Sequence, residues 1–414
     1  MSTDPGFDLV LAGTGLGVYT LATAFHAEYG IRSTVVTRVA VEAQRRSVAC
    51  ETREIGAKAS DLELIDALLR VAAELEDRTP GRPRTLMANE DHLIELFAEH
   101  REVLAERFEL AIPSDETLAR IVDKAEFELL CRELEVPTPR TDIVDFAEGT
   151  DVGAFTTDIP FPVVAKVAKV SDLAGLTIPG YRKVYFLQSE QELRAVLENH
   201  RSAGFRGRLV VQELIPGDDT SMWSITAYAD HTGAVTLLSS ARVLLEEHTP
   251  EALGRPAAMI TCFHEDALAA AERLLTHVGH RGFANFDVKQ DPRTGELVFF
   301  EVNPRIGRNN FYVTAAGANI ARFQKADCID RTTIPTVRVT EQILYSLVPM
   351  RLLKRYVLDE DLWAQAQRAA KQGVKNPWAY RPDGVRAWAY AKAVALNHVR
   401  KYRRFYPEPT ETGF

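Results

Sequence analysis

The chain has 414 residues, 46% hydrophobic and 26% charged, an ordinary globular composition that excludes a fibrous or largely disordered chain. At about 150 residues per domain this length predicts two or three domains. Its formal charge of −9 excludes a protein that is basic overall and built to bind nucleic acid. The charge is uneven: residues 351–404 hold 13 Lys/Arg and 4 Asp/Glu, a net of +9, which leaves −18 on the remainder. No apolar run reaches the ~18 residues of a membrane span, and Met1-Ser2-Thr3-Asp4-Pro5 lacks the basic start of a signal peptide. Cys50, Cys131, Cys262 and Cys328 are far apart and form no CxxC. The expectation is a cytoplasmic protein with reduced thiols.

In chain order, Phe7–Ala12 reads as a strand, Gly13-Thr14-Gly15-Leu16-Gly17 as a tight loop, and Val18–Tyr29 as a helix. Thr34–Val36 is a second strand, Asp61–Glu76 an amphipathic helix, Arg84–Ala88 a strand and Asp91–Glu106 a helix. Such alternation predicts a mostly parallel sheet covered by helices. Asp123–Glu135 is a helix ended by Pro137 and Pro139. From Pro162 the pattern turns antiparallel: Val163–Val167, Lys183–Leu187, Leu209–Leu214, Met222–Ala229 and Val235–Val243, the last two joined at Asp230-His231-Thr232-Gly233. A helix starts at Ser189, with Glu192 closing a capping box. Another spans Asp266–Val278, and Ala284–Lys289 pairs with Leu297–Val302 around the turn Asp291–Gly295. After Pro335 the chain reads as helical and basic, and Pro407–Phe414 as a loose tail.

The glycine loop has the physics of a dinucleotide site, since glycines let a backbone approach a pyrophosphate at a helix N-terminus. The spacing is G-x-G-x-G, however, because Val18 stands where the last glycine belongs. The second strand ends in Thr37-Arg38, with no acid for a ribose. The loop is therefore read as a strand-to-helix turn that binds no dinucleotide, with Arg38 the sole hint of a phosphorylated ligand.

The strongest chemical signal lies between Asp287 and Arg308. Glu301 and Asn303, two apart in a strand, share a face, and a hairpin partner brings Asp287 to it. Two carboxylates and an amide oxygen, without histidine, suit Mg²⁺, or Mn²⁺, rather than zinc. Arg305 points into the same space, and a cation beside a hard-metal site suits transferred phosphate. A salt-bridged surface hairpin is the plain alternative, and it leaves Glu301 unexplained inside the apolar run Leu297–Val302. Lys166 ends the apolar strand after Phe161-Pro162, and Lys183 follows a stretch holding Gly175 and Gly180. Two lysines on neighbouring strands around a flap suit a triphosphate, although each alone reads as a snorkelling surface lysine. Gln212-Glu213-Leu214-Ile215-Pro216-Gly217-Asp218-Asp219 is a strand running into a turn, whose backbone can read an adenine edge and whose acids can hold a ribose. His277-Val278-Gly279-His280 reads as a helix end rather than a metal site.

Taken in order, these pieces resemble the ATP-grasp superfamily: a Rossmann-like start, Asp123-Lys124-Ala125-Glu126-Phe127, Phe161-Pro162-x-x-x-Lys166, Gln212–Gly217, and Asp287 with Glu301-x-Asn303-Pro304-Arg305. The resemblance covers about residues 7 to 325 and implies an α/β (α+β) fold. Its expected divisions are a Rossmann-like pre-domain (1–112), two halves of the nucleotide cleft (113–205 and 206–334) and a helical basic segment (335–414). It implies ATP phosphates at Lys124, Lys166 and Lys183, and an adenine hinge at Gln212, Glu213, Leu214 and Ile215. Ribose would sit at Asp219 or Asp218, Mg²⁺ at Asp287, Glu301 and Asn303, and Arg305 would stabilise an acyl phosphate. The family's glycine-rich phosphate loop is matched only poorly, by Ser171–Gly180. The run Asn303–Gly317, with Gly217-Asp218-Asp219 and Lys183-Val184-Tyr185, resembles the D-aspartate ligase branch of carboxylate–amine ligases. That likeness implies activation of the β-carboxylate of D-aspartate by ATP and transfer to the side-chain amine of a diamino acid in a peptidoglycan stem peptide.

Arg308 suits a carboxylate clamp or a structural ion pair. The basic segment reads as a subdomain docked on the acidic remainder or on a second subunit, with a homodimer as one outcome. Its sharper reading is a surface for a nucleotide-linked precursor or an anionic membrane. Competing functions are a dipeptide or natural-product amino-acid ligase, an NAD(P) oxidoreductase using Gly13–Gly17, and a non-catalytic nucleotide-binding module. The oxidoreductase leaves Asp287, Glu301 and Asn303 unexplained, and the binding module would expect damage at the metal or lysine positions.

Overall fold

The computed structural model describes residues 4–147, 151–173 and 175–410; the side chains of Val170 and Ser171 also lie outside the described part. The expected flap and tail include undescribed positions, residue 174 and residues 411–414.

The N-terminal layer contains β1 (Asp8–Ala12), α1 (Gly15–Tyr29), β2 (Ser33–Thr37), α2 (Glu42–Arg46), β3 (Cys50–Glu54), α3 (Asp61–Arg78), β4 (Arg84–Ala88), α4 (Asp91–Glu99) and α5 (Arg101–Ala105). Its strands are parallel in the order β3-β2-β1-β4, as the alternation predicts. Three local expectations need correction. Helix α1 starts at Gly15, not Val18, so Gly15 and Gly17 fall in its first turn. The helix expected over Asp91–Glu106 breaks at His100 into α4 and α5. Strand β3 escaped the sequence pattern because Cys50-Glu51-Thr52-Arg53-Glu54 is a polar edge strand with one neighbour.

Two helices follow, α6 (Asp115–Val122) and α7 (Lys124–Glu133), the second capped by Asp123, whose carboxylate accepts from the backbone of Ala125 and Glu126. Next come β5 (Thr141–Asp145), β6 (Val163–Val167), β7 (Tyr185–Leu187), α8 (Glu190–Ser202) and β8 (Arg208–Glu213), an antiparallel sheet in the order β5-β8-β6-β7. Strand β8 lies past residue 205 yet belongs to this sheet. Strand β7 starts at Tyr185, so Lys183 precedes the strand expected to hold it. The capping box at Ser189 is half made: its hydroxyl accepts from Glu192 N, but the Glu192 carboxylate accepts from Gln188 N.

The large sheet takes β9 (Met222–Ala229), β10 (Val235–Glu247), β11 (Arg255–Thr261), α9 (Glu265–His277) across its back, β12 (Gly282–Gln290) and β13 (Leu297–Asn303). Beyond it lie α10 (Phe311–Ala315), α11 (Ile320–Cys328), β14 (Val337–Arg338), β15 (Leu344–Ser346), α12 (Met350–Tyr356), α13 (Glu360–Lys371) and α14 (Gly384–Phe405). The sheet order is β13-β12-β9-β10-β11-β15, with β14 beside β10. The mostly helical C-terminal segment thus adds two short strands to this sheet.

Period-two alternation in β9 explains the sheet's two faces. Trp223, Ile225, Ala227 and Ala229 join Phe286, Phe299 and the apolar side of α9 in one core, each large side chain contributing about 1.5–3 kcal/mol. Ser224, Thr226 and Tyr228 face the other way. Ser224 donates to Asn285 Oδ1 at 3.1 Å, the Tyr312 hydroxyl donates to Thr226 at 3.0 Å, and Tyr228 donates to Asp327 at 2.8 Å. This polar face anchors the segment after β13 and leads to the site.

Candidate active site

A cavity of about 330 Å³ lies between the β6–β8 sheet and the large sheet. On its floor Asp287 and Glu301 stand directly opposite each other in the β12–β13 ladder, and Asn285 opposite Asn303. The hairpin therefore puts Asp287, Glu301 and Asn303 on one face, as their spacing predicts. Asn303 Nδ2 donates to Asp287 at 3.2 Å and to the Asn285 carbonyl at 3.2 Å. Like charges across a ladder repel. Burial, then the Glu301 charge, push the Asp287 carboxyl up to about 7. Burial would raise Glu301 as well, but Lys124, Lys166 and Lys183 outweigh it and hold this carboxyl well below the usual range. Two facing carboxyls with an amide beside them suit a hard divalent cation. Among the described residues no three His, Cys, Asp or Glu side chains gather into a metal cage, so the candidate set is these two acids with Asn303.

Three lysines ring the pair. Lys124 is the first residue of α7, its Nζ 3.6 Å from Glu301 Oε2. Lys166 lies on β6 with its ammonium 5.8 Å from the Phe300 ring centre. Burial brings it down to about 8, Glu301 opposing and Lys124 adding to the effect. Lys183 lines the same cavity from the turn before β7. All three lysines, the two acids and the 212–219 segment thus border one space.

The segment expected as an adenine hinge lies where β8 ends. Gln212 is buried, its amide donating to Thr141 at 3.0 Å, and Glu213 pairs with Arg293 at 2.7 Å. Leu214 and Ile215 continue the cavity wall. The turn needs glycine at 217: φ is +107°, and a Cβ there would sit 2.2 Å from Ser221 Oγ. The two acids then diverge. Asp219 accepts from Glu246 N at 2.9 Å and shares a 2.8 Å hydrogen bond with His248, whereas Asp218 accepts from the Thr220 backbone and hydroxyl.

Sequence reasoning missed Lys289 and Glu246, which border the cavity beside this turn. Lys289 Nζ donates to the Gly217 carbonyl at 2.8 Å. Burial, with Asp219 and Asp287 nearby, pushes Glu246 up to about 8. Their signal was present: Glu246-Glu247-His248 ends the long apolar run of β10, and Lys289 interrupts β12 next to an apolar valine.

Arg305 stands beside this group, its charge acting on Asp287 while its guanidinium pairs with Asp91 at 2.9 Å. Its Nε is buried with no partner among the described residues. Arg308 does not line the cavity. It pairs at 3.0 Å with Glu247, a buried acid that Lys401 of α14 approaches at 3.8 Å. The structural ion pair is therefore the arrangement observed.

The glycine loop offers no dinucleotide cradle. Gly15 N already donates to Gln44 Oε1 at 3.3 Å, and a Cβ on Gly17 would meet Asn89 Nδ2 at 1.8 Å. Arg38, the hint of a phosphorylated ligand, pairs with Asp61 at 2.5 Å. His280 is buried, brought down to about 4 by burial, and its Nε2 lies 3.1 Å from the Phe283 carbonyl; His277 pairs with Glu133. Neither forms a metal site.

Solved structures share this architecture at low identity. N5-carboxyaminoimidazole ribonucleotide synthetase from Thermus thermophilus superposes with a TM-score of 0.56 at 19% identity, covering 81% of this chain and 82% of that one. The biotin carboxylase domain of Hydrogenobacter thermophilus 2-oxoglutarate carboxylase, solved with MgADP, gives 0.59 at 17%, covering 80% and 71%. The L-amino acid ligase from Bacillus licheniformis gives 0.53 at 14%, covering 79% and 75%. The chain has the ATP-grasp fold. It also resembles a curated D-aspartate ligase from Enterococcus faecium (strain Aus0004), 27% identical over 407 residues and 96% of each chain. No family model matches it.

Proposed function

We propose that this ATP-grasp protein is an ATP-dependent carboxylate–amine ligase that forms a C–N bond, activating an amino-acid carboxylate as an acyl phosphate. The acid is the β-carboxylate of D-aspartate, and the acceptor is the diamino-acid side chain of a peptidoglycan stem peptide, free or nucleotide-linked. The observation that carries the reading is the convergence of Lys124, Lys166 and Lys183, the 212–219 turn and the Asp287–Glu301 pair on one cavity. The likeness to D-aspartate ligase over nearly the whole length supports the choice of acid. A cytoplasmic setting, where ATP and precursors meet, belongs to the same proposal, as do four divisions of the chain, at 112, just after β8 rather than at 205, and at 334.

In this reading the adenine edge lies on the backbone of Glu213–Ile215, and the ribose beside Asp218, whose second carboxylate oxygen is not used by Thr220. The three lysines neutralise the triphosphate. Asp287, Glu301 and Asn303 would hold Mg²⁺, which supplies charge screening of the phosphate oxygens when bound. Arg305, anchored by Asp91, faces the charge that develops as the substrate carboxylate attacks the γ-phosphorus and ADP leaves. The amine then attacks the acyl carbon, phosphate leaves and the amide forms. The chain supplies position and charge rather than a nucleophile.

The test is phosphate release from ATP and Mg²⁺ with D-aspartate, L-aspartate or other amino acids, each with and without a lysine-containing stem peptide. Release that needs D-aspartate and the peptide, absent in Glu301→Ala, with an aspartyl amide seen by mass spectrometry, is the expected result. Release with another acid or acceptor would replace the D-aspartate reading by that of a dipeptide or natural-product ligase.

A further inference from the structure

Helix α14 carries Arg386, Lys392, Arg400, Lys401, Arg403 and Arg404 over its 22 residues and no acidic residue. Ala387, Ala391, His398 and Tyr402 are buried on its inner side. Val385, Trp388, Lys392, Leu396, Arg400 and Arg403 follow at helical spacing and share one outward line. On it Val385 is 81% exposed, Trp388 59% and Leu396 64%. Lys392 lies over the Trp388 ring at 5.7 Å. Among the described residues, none of Arg386, Lys392, Arg400, Arg403 or Arg404 is in an ion pair, whereas Lys401 is turned inward to Glu247.

We propose that the outward face of α14 is a docking surface for an anionic lipid bilayer. The chemistry of the line selects this occupant. A protein interface separates an apolar centre from a charged rim, but here Val385, Trp388 and Leu396 share one row with Lys392, Arg400 and Arg403, and Lys392 stands between Trp388 and Leu396. A free nucleotide-linked acceptor would use the arginines and leave Trp388, Leu396 and Val385 in water. At a bilayer surface both kinds of side chain are satisfied together, the rings and aliphatic groups below the headgroups and the cations among the phosphates. The absence of carboxylates from the helix removes repulsion from such a surface, although the whole chain is acidic.

The experiment is vesicle flotation of the full chain, without ATP or acceptor, so its outcome is independent of the ligase reading. Vesicles of phosphatidylcholine are compared with vesicles that also contain phosphatidylglycerol, at low and high salt. Flotation with the anionic vesicles alone, lost at high salt, is expected. Trp388→Ala/Leu396→Ala and Arg400→Glu/Arg403→Glu should each weaken it at least about tenfold, with the circular dichroism melt unchanged because these side chains are exposed. Equal flotation with both vesicles, no flotation, or full flotation by either variant overturns the proposal. So does a charge variant that leaves flotation intact but changes the molecular mass, or raises the KM for a nucleotide-linked acceptor.

Discussion

Asp287 and Glu301 face each other across a β-ladder, and the cost of that arrangement should be measurable without a substrate. Unfolded, Asp287 ionises with the ordinary carboxylate value of 3.8; folded, it does so at about 7. An acid raised on folding favours the native state below its unfolded value. Its contribution is therefore full below about pH 4 and is lost as pH rises through about 7. Cation-free protein should lose urea resistance across that window, and Asp287→Asn should flatten the loss. Mg²⁺ should restore stability at high pH in the wild type and not in the variant; no effect of Mg²⁺ on the wild type would remove the cation reading of the pair. Lys166 gives a second test. With its ammonium brought down to about 8, kcat/KM for ATP should fall as pH rises past 8, because the neutral amine no longer attracts phosphate. Lys166→Met should lower kcat/KM by about 10²–10³ at neutral pH and abolish that alkaline limb.

At the scale of elements, the turn after β8 ties the end of that strand to the large sheet. Gly217 occupies a left-handed conformation with Ser221 packed against its missing side chain, and its carbonyl accepts from Lys289. Gly217→Ala should cost about 1–3 kcal/mol in urea denaturation and raise the KM for ATP. Adding Ser221→Ala removes the clash but not the strained φ, so it should recover part of the stability. Full recovery would show that the conformation carries no strain. Several elements were readable before the fold was known. β4 and β9 have the predicted bounds, β9 because its two-residue alternation is regular from Met222 to Ala229. β5, β11 and β15 were not, since none carries a long apolar alternation, and β5 and β15 are held by strands distant in sequence. Propensity cannot supply such a partner.

Across the whole molecule, the ends of the chain meet. Asp383, just before α14, accepts from the Tyr19 hydroxyl at 2.8 Å, from Ser47 at 3.0 Å and from Val48 N at 2.8 Å. Trp378 packs on Tyr19 with ring centres 5.3 Å apart. At the other end of α14, Tyr406 stacks on His248 at 3.6 Å, and Thr410 N donates to the Tyr406 hydroxyl, so the described part of the expected loose tail is anchored. One basic segment thus bridges the parallel layer and the large sheet. Asp383→Ala leaves three donors without an acceptor and should cost about 1–3 kcal/mol, read as an earlier thermal transition. It should also raise protease sensitivity around α14 more than in the large sheet. Uniform protection would mean that the bridge does not depend on Asp383.

The sequence by itself determined the chemistry available here. Spacing put Glu301 and Asn303 on one face, the hairpin turn added Asp287, and the order of motifs supplied the ATP-grasp expectation, because these follow from residue type and from periods of two and 3.6. Tertiary structure decided which groups are spoken for. It turned Arg308 to Glu247 and Asp219 to His248, gave Gly15 N to Gln44, and brought Glu246 and Lys289 to the cavity. Those outcomes depend on contacts between residues tens to hundreds of positions apart. A one-dimensional pattern holds the donors and acceptors, but only packing selects which of them must pair to leave water.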